Sequence, residues 1–346
     1  MLTIRAMSDG KGYSSRHLEH SDYYAEGECV AGRWKGRGAE MLGLGGEVKP
    51  DDFEAMRQGL HPGTGEFLRQ RQSADRVSAD GTIQSRGRNL YDFTISAPKS
   101  VSIMAILGDD HRLLEAHEKA VAETLRELEA HAGTRVRRDG ANDSRDTGNL
   151  VLAVYHHDTS RELDPQLHTH AVAANLTHDA AEDRWKALQA SGIYERRAYL
   201  TEVYRNALAR EVLRLGYEIE NCRDAKGRDS GFEIRGIPDD LIQKFSRRSR
   251  QRDEAIAQFT AKRGRPPTNN EIAVLIRESR ADKLAEISTF DLRCRQLERL
   301  TMQEMRQLDH LRHEASLSIT RLESAKASID YALDHLFERV SVCRDY

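Results

Sequence analysis

Cysteine is scarce in this chain of 346 residues. The four present, Cys29, Cys222, Cys294 and Cys343, stand far apart and form no C-x-x-C pair. They give no disulfide framework and read as the reduced thiols of a cytosolic protein. No apolar run approaches membrane-spanning length and no signal peptide opens the chain, so neither a membrane nor secretion is expected. A strong net charge is also missing: the formal balance is −3. Composition therefore carries no global argument for nucleic acid, and any DNA-binding surface has to come from local clustering. Nor is there an internal repeat. What remains is a polar but globular composition, 38% hydrophobic and 32% charged, in a chain long enough for one large domain or two small ones.

The informative stretch is Tyr155 to Val172, YHHDTSRELDPQLHTHAV. His168 and His170 are two residues apart, so in a strand both side chains point to one face, while Leu167, Thr169 and Ala171 point to the other. His157 closes the apolar run Leu150 to Val154, which reads as a buried strand. Between them Asp158, Ser160, Asp164 and Pro165 form a turn-rich set. The simplest geometry is two adjacent antiparallel strands that bring three imidazoles together. Three neutral imidazoles suit a divalent transition metal and leave coordination positions open, the catalytic rather than the structural arrangement. On spacing alone the competing reading is a solvated, His-rich hairpin.

The segment HHDTSRELDPQLHTHAV resembles the three-histidine motif of the MobF-type conjugative relaxases, the TrwC/TraI group of HUH endonucleases, and the likeness extends over roughly residues 1–255. The resemblance implies a divalent metal on His157, His168 and His170, Mg2+ or Mn2+ first and Zn2+ as the alternative; His156 stays outside the triad. DFTISAPKS, around Asp92 to Ser100, is similar to the family segment DLTFSAPKS, and Asp92 matches the acidic residue placed near the nucleophile and the histidines. Family members keep one or two tyrosine pairs near the N-terminus, and a tyrosine there attacks the DNA phosphate. Here Tyr13 is single, followed by a serine, and Tyr23–Tyr24 form a pair ten residues on. That departs from the double-pair pattern; Tyr13 is taken for the first cut and the pair for the second. GRWKGRGAEMLGLGGEV (residues 32–48) is similar to a further family segment, and no chemistry is assigned to it.

Along the rest of the chain, residues 2–6 read as a first strand, Phe53–Leu60 as a short helix, and residues 89–96 as an alternating strand before a helix that Ser96 or Ser100 caps. Residues 109–131 form an amphipathic helix on Leu114, Val121, Leu125 and Leu128, capped by Asp109 or Asp110. Residues 191–215 read as a second long helix, and residues 217–220 and 231–236 as two short strands. From about residue 238 the composition shifts. Residues 241–265 hold eight Lys and Arg against two Asp and Glu, a clustering that favours a phosphate backbone as much as a solvated helix face. Thr268 and Glu271 form a capping box. The remainder to Tyr346 reads as a helical cap or connector.

These elements fit a two-layer α+β fold with a central antiparallel sheet, divided into a core at 1–237 and a helical extension at 238–346. The resemblance implies a palm with helical fingers that close over DNA. It also implies nicking of single-stranded or hairpin DNA at a plasmid origin of transfer, a 5′-phosphotyrosyl link, and rejoining by reversal. Asp92 is then the carboxylate that takes the tyrosine proton, and Lys99, Arg247, Arg248 and Arg250 meet DNA. Accessory relaxosome proteins and a type IV secretion coupling protein are the implied partners of a cytoplasmic monomer. The family usually carries a helicase region after the relaxase; this chain has no G-x-x-x-x-G-K-[ST] run. Two readings of other classes stand beside it: a metal-dependent DNA hydrolase, and a non-catalytic module that binds a DNA hairpin.

Overall fold

The computed structural model describes residues 1–7, 32–70, 76–77, 83–85, 87–138, 141–160, 162–224, 227–268, 271–272, 274–275, 288–315 and 321–336. Tyr13, Tyr23 and Tyr24 lie outside these.

The first strands in chain order are β1 (Leu2–Met7), β2 (Arg33–Lys35), β3 (Arg76–Val77), β4 (Ile83–Ser85) and β5 (Leu90–Ser96). Next come β6 (Gly133–Arg138), β7 (Ala141–Asp146), β8 (Leu152–Thr159) and β9 (Pro165–Ala174). Then follow β10 (Thr177–Asp179), β11 (Arg184–Lys186), β12 (Leu188–Gln189), β13 (Ile219–Arg223) and β14 (Asp229–Ile234). The helices used below are α1 (Arg37–Met41), α2 (Pro50–Gln58), α3 (Lys99–Ile106) and α4 (Arg112–Ala130). With them are α5 (Ser191–Glu195), α6 (Arg197–Arg214), α7 (Asp239–Lys244) and α8 (Arg247–Arg263).

Five strands form the central antiparallel sheet in the order β1-β5-β9-β8-β2. Strand alternation divides its residues between two faces. Tyr91, Phe93 and Ile95 of β5, Leu152 and Val154 of β8, and Leu167, Ala171 and Ala173 of β9 enter the principal core with α3, α4 and α6. Leu90, Ala153, Tyr155, Val172 and Ala174 face a second cluster under α1 and α2. This is the two-layer α+β arrangement that the sequence leads one to expect. Asp92, His157, His168 and His170 share the parity of the second face, with Asp92 opposite Val172 and His170 opposite Tyr155 of its cluster.

The glycines of residues 32–48 admit backbone where a side chain would not fit. Gly36 has φ +96°, and a Cβ there would meet the Leu150 carbonyl oxygen at 2.4 Å and Glu129 Oε1 at 2.9 Å. That carboxylate oxygen accepts from both the Arg37 and Leu150 backbone N–H groups at 2.7 Å. A Cβ added at Gly32 would likewise meet the Tyr155 ring at 2.4 Å.

Several sequence expectations shift. The helix expected over 191–215 is two helices, α5 and α6, interrupted at Arg196. Helix α2 runs Pro50–Gln58 with Gly59 left-handed at its end, so Leu60 falls outside it. Leu113 is fully buried in the core from α4, and Leu114 packs partly buried against it. Neither Ser96 nor Ser100 caps α3; Pro98 is at the N-cap and the Glu233 carboxylate, from β14, accepts the Lys99 and Ser100 N–H groups. Asp110 does serve α4, accepting the Arg112 N–H at 3.2 Å, and the Thr268–Glu271 box forms. The three-stranded sheet β12-β6-β7 was not anticipated. Leu241, Phe245, Leu300, Leu308, Ala315 and Tyr331 belong to the principal core, so α7 and the helices Met302–Glu314 and Arg321–Leu336 pack on it, while α8 buries no residue.

The Gly36 geometry yields a direct expectation. Gly36→Ala forces a left-handed residue with a Cβ into the Leu150 carbonyl, and should destabilise the fold by about 1–3 kcal/mol in chemical denaturation. An unchanged midpoint would show that the contact is not made.

Candidate metal centre

Strands β8 and β9 pair antiparallel with His157 opposite His168 and Tyr155 opposite His170. On the other side of β9, β5 sets Ser96 opposite His168 and Thr94 opposite His170. The ring centres of His157, His168 and His170 form a triangle with sides of 5.2, 5.4 and 5.2 Å. A register shift between His157 and Thr159, a β-bulge at Asp158, follows directly; bulges bend the strand and re-aim the neighbouring side chain.

Each ring is prepared differently. His170 Nδ1–H donates to the Asp92 carboxylate, at 2.9 and 3.0 Å to its two oxygens, and the Thr94 hydroxyl sits 3.3 Å from both groups. His168 Nδ1–H donates to the Gln166 carbonyl at 2.9 Å. With the proton placed on Nδ1 in both, each ring keeps its Nε2 lone pair outward, the tautomer that second-shell acceptors select in metal sites. His157 Nε2 is buried with no hydrogen-bond partner, although buried polar atoms rarely go unpaired. Burial and the two neighbouring imidazoles push the His157 pKa down to about 2, and burial and His170 push that of His168 down to about 4. These are neutral ligands over the physiological range.

As the rings stand, no group of three or more His, Cys, Asp or Glu side chains among the described residues is gathered into a metal cage. Proximity is already there. An ion about 2.1 Å from one nitrogen of each ring sets ring centres roughly 5 Å apart. The histidine χ2 torsion is broad, so convergence of the nitrogens calls for ring rotation rather than strand movement. The donor set, the orphaned His157 nitrogen and the fixed tautomers all fit a divalent ion.

Behind the triad lies a network that the sequence did not announce. Thr169, between His168 and His170 but on the opposite face, binds His156 Nδ1 at 2.7 Å and His117 Nε2 at 2.9 Å. His117 in turn meets the Tyr204 hydroxyl at 2.6 Å. His117 follows Ala116 on the apolar face of α4, and that placement was the one available signal. Burial lowers its pKa well below the ordinary imidazole value.

Asp92 is 3% exposed and accepts from His170, a contact that orients the imidazole. Lys99 opens α3 and donates from Nζ to the Pro165 carbonyl at 2.8 Å; burial lowers its pKa to about 8. With Arg205, Arg248 and Arg252 it lines a cleft of about 570 Å3 that reaches Ser96 and Gln166, the neighbours of His168 across and along the sheet. The three histidines are not among its lining residues. Arg250 is exposed and outside the cleft. Arg247 is committed to Asp164, its Nε at 3.0 Å. No described helix is long and apolar enough to cross a membrane.

Comparison with known proteins places this geometry. A family model described as TrwC relaxase matches residues 7–303. Two proteins named multifunctional conjugation protein TraI are similar over 274 residues, or 77% of this chain: one from Escherichia coli strain K12 at 38% identity, one from Escherichia coli at 36%. The chain spans about 14% of the length of each. Among solved structures, the conjugative relaxase TrwC in complex with OriT DNA in its metal-bound form superposes with a TM-score of 0.70 at 33% identity, covering 86% of this chain and 97% of that one. TrwC complexed with a 27-mer DNA comprising the recognition hairpin and the cleavage site gives the same TM-score and identity, covering 88% and 98%.

The lowered histidine pKa values set a pH dependence for the metal-free protein. The unfolded chain takes up protons on these imidazoles near pH 6.5, whereas folded His168 and His157 resist until about pH 4 and about pH 2. The unfolded state therefore binds more protons in that window, and stability falls as pH drops from about 6.5. Denaturation at pH 7, 5.5 and 4.5 should show that decline, reduced in a protein carrying His157→Gln and His168→Gln. Superimposable pH profiles would contradict the assignment.

Proposed function

The chain belongs to the TrwC relaxase family, and from that premise we propose that it is a conjugative relaxase that nicks one DNA strand at a transfer origin and rejoins it. The observation that carries the proposal is the triangle of three imidazoles backed by Asp92. His157, His168 and His170 hold Mg2+ or Mn2+, which when bound polarises the scissile phosphate and stabilises charge on its oxygens.

The remaining steps belong to the chain's own residues. The Tyr13 hydroxyl attacks phosphorus in line. An O–P bond forms to tyrosine as its hydroxyl gives up a proton, the P–O3′ bond breaks, and the departing 3′ oxygen takes up a proton, so the step is proton-neutral. No water is consumed, so the 3′-hydroxyl reverses the step and reseals the strand. Tyr23 and Tyr24 are assigned to a second attack when transfer ends. Asp92 orients His170 and keeps its tautomer. Lys99 and Arg248 give the cleft beside His168 cationic walls for a single strand, and a strand bent out of a duplex suits such a groove. The relatives solved with OriT DNA support an origin hairpin as the substrate. Relaxosome proteins and a secretion coupling protein are the partners this reading calls for.

Two measurements test it. With a labelled single-stranded origin oligonucleotide and Mn2+, denaturing gels should show a covalent protein–DNA product that Tyr13→Phe abolishes and that Tyr23→Phe with Tyr24→Phe retains. The reverse pattern would make the pair the first nucleophile, and free nicked DNA without adduct would indicate hydrolysis. Asp92→Asn should weaken Mn2+ binding about 10–100-fold and slow cleavage by similar factors at pH 6.5 and pH 9. A loss confined to pH 6.5 would instead show that Asp92 takes the tyrosine proton, because that base matters least where phenolate forms unaided.

A further inference from the structure

The loop joining the two histidine strands is held from two sides at its described residues, 160 and 162–164. From within, the Ser160 N–H donates to the Asp164 carbonyl at 2.8 Å and the Asp164 N–H to Ser160 Oγ at 3.2 Å. Leu163 takes a left-handed φ of 58°, a strained conformation for a branched residue that its surroundings have to enforce.

From outside, the enforcement comes from helices distant in sequence. Asp164 is 2% exposed and accepts from the Arg247 N–H at 2.9 Å, from Arg247 Nε at 3.0 Å and from Arg299 Nη1 at 2.7 Å. Arg247 also donates to the Glu162 carbonyl. Gln296, 1% exposed, donates to the carbonyl of strained Leu163 at 2.9 Å, and Arg293 pairs with Asp158 at the bulge. Arg293 and Gln296 lie on the helix Thr289–Leu297, whose Leu292 is fully buried. Arg299 follows that helix and stacks over Phe245 at 4.3 Å. The buried carboxylate thus takes one charge-assisted bond from each of two guanidiniums, and the Arg299 guanidinium forks between Asp164 and the Lys244 carbonyl.

The loop's shape sets the bulge after His157 and the point at which β9 begins, and so fixes how His157 meets His168. We propose that Asp164 is a positioning residue for the metal centre, and that docking of residues 288–300 and occupancy of the three histidines favour each other. The proposal rests on the metal reading above. Coupling of this kind is reciprocal: if docking raises metal affinity, metal must tighten docking by the same factor.

The test uses the full chain. Hydrogen exchange of the Thr289–Leu297 amides should slow several-fold when Mn2+ is added. Asp164→Asn should abolish that slowing and weaken Mn2+ binding about tenfold by calorimetry, with circular dichroism of the folded protein retained. Arg299→Lys, which keeps the charge and loses the fork, should give the same loss in milder form and serves should Asp164→Asn fail to fold. Mn2+ binding to the wild-type chain with unchanged helix exchange, or an Asp164→Asn affinity within twofold of wild type, would overturn the coupling and leave the metal reading standing. Absence of Mn2+ binding to the wild-type chain would overturn both.

Discussion

The pairing of β8 with β9 is the constraint on which the rest depends. With His157 set opposite His168, strand alternation puts His170 on the same face two residues along. A slip of one residue would send His168 and His170 into the helical core and bring Thr169 out in their place. The core forbids that slip. Leu167, Ala171 and Ala173 are buried against α3, α4 and α6, and the buried Thr169 hydroxyl finds its partners in His117 and His156. A one-residue slip would leave a buried polar network unpaired and expose apolar surface together. The site is thus registered by polar pairing on one face and by hydrophobic burial on both.

Much of this was legible in the chain. The period-two placement of His168 and His170, the apolar run before His157 and the turn residues between them predicted the paired strands, because alternation is a local signal. Asp92 was legible as an acid in a strand, and the structure gives it a specific duty toward His170. Other features were not local. The hairpin over 133–146 has no apolar alternation, being held by pairing with β12 and by a backbone ladder. The cap of α3 is a carboxylate more than a hundred residues away. Nothing near Arg196 in sequence marks the break between α5 and α6. Arg247 reads as solvated or DNA-facing charge, and Arg293 and Arg299 carry no local signal, until the fold brings Arg247 and Arg299 onto Asp164 and Arg293 onto Asp158.

Electrostatics divides the region by purpose. On the histidine face, burial and mutual repulsion hold protons off His157 and His168, which leaves their ring nitrogens open to a cation. Around the corner Lys99, Arg205, Arg248 and Arg252 line the cleft beside His168, Arg205 being paired with Glu202 and Asp229; on the proposed reading a polyanion follows it. Acidic groups in the same area, Asp164 and Glu233, are used internally to anchor a loop and cap a helix. A chain of nearly balanced charge can present a local cationic wall by burying part of its carboxylate complement.

The central claim is that three imidazoles from two paired strands hold one divalent ion. Anomalous diffraction at the manganese edge, from crystals grown with Mn2+, tests it most directly. The account predicts a single peak at bonding distance from one nitrogen each of His157, His168 and His170, with Asp92 still hydrogen-bonded to His170 and not to the ion. A peak ligated by Asp92 in place of a histidine, or no peak at the triad while ions bind elsewhere, would contradict it.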